Sequence, residues 1–107
     1  MAFKTYYKVI RMLRNKVPPK LPVRVRRVSI DSEGYCEKDE DKFSIRIKKN
    51  LKEDEAIDVL LHEWAHALSW KASFDRMSYE RFCETIHGPE WGVAYSKVYQ
   101  LFEKHFT

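Results

Sequence analysis

Residues 53–70 read EDEAIDVLLHEWAHALSW. Ile57, Leu60, Leu61, Trp64, Ala65 and Leu68 recur at three- and four-residue spacings, the period of an amphipathic α-helix. Glu53, Asp54 and Glu55 fall in its first turn, where carboxylates complement the positive end of the helix dipole. Within this helix lies His62-Glu63-Trp64-Ala65-His66, an HExxH. Residues four apart on a helix differ by about 40° in azimuth and ~6 Å in height. Both imidazoles therefore project from one side and can converge on one zinc ion. Glu63, one position on, can reach a water at that ion without being a ligand and accept its proton.

Toward the C-terminus, Ser78 is placed to cap a short helix through Phe82, and a last helix starts at Gly88-Pro89, proline suiting the first helical position. Trp91, Ala94, Tyr95, Val98, Leu101 and Phe102 give that helix a core face. The chain has four histidines, and His87 sits just before this helix start. It is the expected third ligand, with Gly88 allowing close backbone approach or a positive φ. Glu80, Glu84 and Glu90 are its rivals, because two histidines and a carboxylate also make a sound zinc site.

Toward the N-terminus, KFSIRIK (residues 42–48) alternates cleanly, with Phe43, Ile45 and Ile47 facing one way and Ser44, Arg46 and Lys48 the other. Pro22 opens an earlier strand, PVRVRRVSI, whose alternation slips at Arg26-Arg27, so a bulge is expected there. Tyr35 and Cys36 suggest a short strand between the two. Residues 3–17 form an amphipathic helix with Phe3, Tyr6, Tyr7, Ile10, Leu13 and Val17 inward, stopped by Pro18-Pro19. The order helix, small antiparallel β-meander, HExxH helix and C-terminal helix predicts an α+β domain with helices packed on one sheet face.

At 107 residues the chain is the length of one domain, 1–107, and 44% hydrophobic with 14% aromatic content is enough for a core. No apolar run approaches a membrane span and no secretory leader is evident, so no membrane partner is expected. Cys36 and Cys83 form neither a CxxC pair nor a disulfide framework, which points to a reducing, cytoplasmic or otherwise intracellular setting. Residues 1–29 carry nine Lys or Arg and no acid, against eleven basic and sixteen acidic side chains in the remainder. That asymmetry predicts an anionic partner for the N-terminal part, with single- or double-stranded DNA the candidate. Arg24, Arg26, Arg27, Lys48 and Lys49 are the expected phosphate-binding face.

LLHEWAHAL followed by HGPEW resembles the SprT-like zinc metalloproteases, whose pattern is HExxH, a variable spacer, then a histidine in an HGxxF/W-type element. That family includes the Spartan and bacterial SprT proteins. The resemblance spans about Phe43 to Phe102 and is more specific than HExxH alone. It implies a zincin-like fold, one zinc per chain held by His62, His66 and His87, and Glu63 as general base. Two departures stand out: the twenty residues between His66 and His87 make a long spacer, and the sequence carries no cysteine-rich zinc ribbon. Several family members act on proteins bound or crosslinked to DNA. The expected function is thus zinc-dependent endopeptidase activity on a protein substrate, DNA-associated proteins included. The alternative is a nucleic-acid-binding module whose zinc site is structural or inactive, and only Glu63 separates the two in sequence, since a structural site needs no base.

Overall fold

The computed structural model describes residues 3–106. In chain order it contains α1 (Lys4–Lys16), β1 (Val23–Val28), β2 (Gly34–Lys38), β3 (Phe43–Lys48), α2 (Glu53–Leu68), α3 (Tyr79–Thr85) and α4 (Pro89–Phe106), with a 3₁₀ turn at Ala72–Arg76 before α3. This is an α+β fold with a three-stranded sheet, as expected. Among the described residues no helix is long and apolar enough to cross a membrane.

The sheet is not the antiparallel meander that the sequence predicts. Its order is β1-β3-β2, with β2 antiparallel and β1 parallel to β3. The loop after β1 therefore crosses the end of β3 to start β2 on the far side. The cause lies in β3: Phe43, Ser44, Ile45 and Ile47 are all buried, so the strand takes the centre, where both of its edges are paired and covered. Period-two alternation reports which face a side chain occupies, not which strand lies alongside. Nor does β1 contain a bulge, since Val23 to Val28 pair residue for residue with Phe43 to Lys48.

That unbroken register places Arg27 opposite Ile47, on the same face as Val23 and Val25. Its guanidinium donates to the carbonyls of Lys48 (3.1 Å), Lys49 (2.8 Å) and Leu51 (3.1 Å), where β3 hands over to α2. It also lies over the rings of Phe3 (4.6 Å) and Tyr6 (5.5 Å). The apparent phase slip is thus a cation recruited to three backbone acceptors and two aromatic faces.

α2 packs on the sheet through β2 and β3 and on α1 and α4 elsewhere. Its buried residues include Ala56, Ile57, Leu60, Leu61, Trp64, Ala65 and Ala67. The Trp64 indole donates to the Val17 carbonyl at 2.9 Å, pinning the end of α1. At the other end of α1, whose first turn has no acid of its own, the Tyr6 N–H is accepted by the Glu53 carboxylate at 3.0 Å. α1 turns Tyr6, Val9, Ile10 and Leu13 inward; Tyr7, predicted as core, is 54% exposed, and Val9 holds the buried place instead. Gly34, at the start of β2, is needed for space: a Cβ there would meet Val59 Cγ1 at 2.5 Å and the Arg46 carbonyl oxygen at 2.9 Å. β2 thereby lies directly against α2.

The role of Arg27 is measurable. Arg27→Ala strands three carbonyls that lose a charged donor, so urea denaturation should show a loss of about 2 kcal/mol or more. Arg24→Ala, which removes an exposed side chain, should stay within about 0.5 kcal/mol of the parent.

Candidate metal centre

His62 and His66 project from α2 one turn apart, and His87 comes from the corner between α3 and α4. α3 is set by Ser78, whose hydroxyl accepts from the Arg81 N–H at 3.3 Å, as the sequence suggests. Gly88 has no positive φ; a Cβ there would stand 3.3 Å from the Thr85 carbonyl oxygen, so its contribution is clearance at the corner.

The three Nε2 atoms form an equilateral triangle, 3.2 Å on each side. Protons cannot account for it. A neutral imidazole nitrogen either donates or accepts, and three mutual contacts would each need one of both. The spacing suits three ligands of one ion instead, since a tetrahedral ion with bonds of about 2.0–2.1 Å has ligand edges of about 3.3–3.4 Å. The three histidines lie close enough together to bind one metal ion, and among the described residues no other group of three ligand-type side chains does. Of the rival third ligands, Glu90 bonds Lys71 at 2.7 Å, and Glu80 and Glu84 are exposed on α3.

Electrostatics favour ligation. Burial holds the His66 imidazole down to about 3, reinforced by its neighbours His62 and His87. Burial, then His87, also lowers His62. Both rings are accordingly neutral near pH 7, with a nitrogen lone pair free for a cation. Glu63 is 6% exposed, its carboxylate 4.0 Å from His62 Nε2, and burial raises it to about 7. Trp91 packs against all three imidazoles, with ring centroids 4.9, 5.4 and 4.8 Å from His62, His66 and His87. Its indole N–H donates to the His62 carbonyl at 3.3 Å.

One side of the triangle is open. A cleft of about 1110 Å³ is bounded by β2, by the three histidines and Glu63, and by Trp70, Phe74 and Phe82. Those three aromatics pack on one another at 5.3–5.7 Å and belong to the long spacer, which thus builds the far wall. A smaller cavity of about 420 Å³ shares Gly34, His62 and Glu63 with the cleft and adds Glu33, Asp58, Val59 and Tyr95.

The fold thus brings together His62, Glu63, His66 and His87 and does not bring the basic residues with them. Arg24 and Arg26 are exposed, and Arg26 shares the sheet face turned away from α2 with its register partner Arg46. Arg27 is committed to backbone carbonyls. Sequence reasoning missed Trp91 as the platform beneath the triangle; its place in the first turn of α4, just beyond the His87 corner, was the available signal. Comparison with protein-family models, with curated proteins and with solved structures gives no match.

His87→Ala should weaken metal affinity by at least about 100-fold, read as metal per chain by elemental analysis. His105→Ala, in the last turn of α4, should leave it unchanged.

Proposed function

We propose that this protein is a zinc-dependent endopeptidase of the SprT-like kind, with His62, His66 and His87 holding the ion and Glu63 acting as general base. One observation carries the reading. A three-histidine triangle of tetrahedral spacing opens on a cleft that contains a buried carboxylate with no other evident task. Structural zinc sites are closed by four protein ligands, whereas catalytic ones keep a position open. When bound, zinc supplies Lewis acidity, polarising the scissile carbonyl and acidifying a water.

The chain's own residues do the rest. Glu63 accepts the proton of the attacking water and later delivers it to the leaving amine, a role for which its raised proton affinity suits it. Trp91 fixes the imidazoles from behind. The peptide is held by β2. The Lys48 N–H bonds the Glu33 carbonyl and the Asp39 N–H bonds the Lys42 carbonyl, both at 2.8 Å. In this antiparallel pair the odd-numbered residues therefore spend their backbone groups on β3. Gly34, Cys36 and Lys38 are left with N–H and C=O groups on the free edge beside the cleft, ready to pair with an extended substrate. The KFSIRIK strand cannot serve that purpose, because β1 and β2 enclose it on both sides.

Glu63→Gln keeps the side chain's shape but cannot take a proton. It should retain zinc and lose peptide hydrolysis by about 10²–10⁴-fold, measured on an unfolded protein such as casein; unchanged turnover would sink this mechanism.

A second reading, an anionic partner such as DNA, rests on exposed Arg24 and Arg26 on the sheet side away from the cleft. Arg27 drops out of it. Replacing Arg24 and Arg26 together should flatten the dependence of log affinity on log salt by about 1.4 units for single strands, with folding and zinc content preserved. Absence of binding at low salt would return the two arginines to solvation alone.

A further inference from the structure

We infer that Tyr95 is a catalytic residue whose phenol donates a hydrogen bond to the carbonyl oxygen as negative charge develops on it. The inference rests on the endopeptidase reading and adds to it the group that stabilises the oxyanion. Tyr95 lies on α4 one turn beyond Trp91 and stacks on that indole at 5.0 Å and 8°. The indole is itself tied to the His62 carbonyl, so the phenol is held in place relative to the ligand helix. Its ring centroid is 6.2 Å from that of His62, and it lines the cavity that contains His62 and Glu63. Every hydrogen bond of the described residues leaves its hydroxyl without a protein partner. A positioned, half-buried donor of that kind, in the cavity that adjoins the cleft and shares His62 and Glu63 with it, is what an oxyanion site requires.

The other tyrosines lack one element or another. Tyr99 is 39% exposed, Tyr79 82% exposed, and Tyr7 54% exposed on α1. Tyr35 pairs with Arg46 on the sheet face away from α2 and lies beneath its guanidinium at 5.7 Å. Tyr6 is in the core under Arg27.

The step balances without a further reactant. The water oxygen bonds to the carbonyl carbon, the π pair of the C=O moves onto its oxygen, and the water's proton goes to Glu63. Tyr95 keeps its own proton throughout and only donates the hydrogen bond.

The test uses the zinc-loaded protein and its Tyr95→Phe variant, with Tyr99→Phe as control. Tyr95→Phe should keep its circular dichroism and one zinc per chain, and lose about 10²-fold in kcat with little change in KM, the mark of an interaction made only in the transition state. A phosphinic peptide, whose tetrahedral group mimics the charged oxygen, should bind Tyr95→Phe about 10²-fold more weakly by calorimetry. A substrate peptide on the Glu63→Gln background should bind equally well with or without the phenol. Unchanged kcat, unchanged phosphinate affinity, a loss confined to KM, or loss of zinc would each overturn the assignment while leaving a hydrolysing wild type intact. A zinc-loaded wild type that cleaves no peptide would instead overturn the endopeptidase reading, and this inference with it.

Discussion

The constraint on which the architecture turns is that α2 must be buried on most of its circumference while one strip stays open. Three alanines, Ala56, Ala65 and Ala67, are buried along it and let neighbouring elements come close. Trp64 reaches past them to the end of α1, and Gly34 brings β2 into direct contact with Val59. The same helix buries Glu63 and His66. Burying an ionisable group without a full set of partners costs several kcal/mol in general. The chain meets that cost by keeping the His66 imidazole neutral and the Glu63 carboxyl close to protonation, a state well matched to receiving a cation and handing on a proton.

α4 supplies the complementary half. Trp91 touches each of the three imidazoles, and its indole N–H is spent on α2 itself. The ring orientations are thus set by packing, which would hold ligand nitrogens near a productive geometry. Tyr95 then inherits its position from the same stack. Glu63, the three imidazoles and the Tyr95 phenol are therefore gathered where α2 meets α4.

The sequence made some of this legible for physical reasons that can be named. Periodicity over 53–70 and 89–102 reads out a helix and its inner face directly, and HExxH within a helix leaves the two imidazoles little choice of direction. Ser78 and Pro89 mark helix starts because their chemistry suits only a few positions. Strand order was not legible: alternation in KFSIRIK specifies faces, and the choice between meander and crossover depends on which strand must be central. Arg27 looked like a slip in the pattern because a cation on a core face makes sense only once the Lys48, Lys49 and Leu51 carbonyls are known to gather there. The choice of Val9 over Tyr7 turned on which face of α1 its neighbours α2 and α4 cover, a tertiary property. Tyr95 was one tyrosine among six until the stack on Trp91 singled it out.

The wide separation of His66 from His87 along the chain has a consequence for order. An ion shared by both acts as a cross-link around a loop of twenty residues, and closing a loop of about that length removes roughly 3 kcal/mol of chain entropy from the unfolded ensemble. The segment so fastened carries Trp70, Phe74 and Phe82, the aromatic wall of the cleft. On the proposed reading the metal would be a latch on the cleft as well as a reagent within it, fastening the aromatic wall on the same event that arms Glu63.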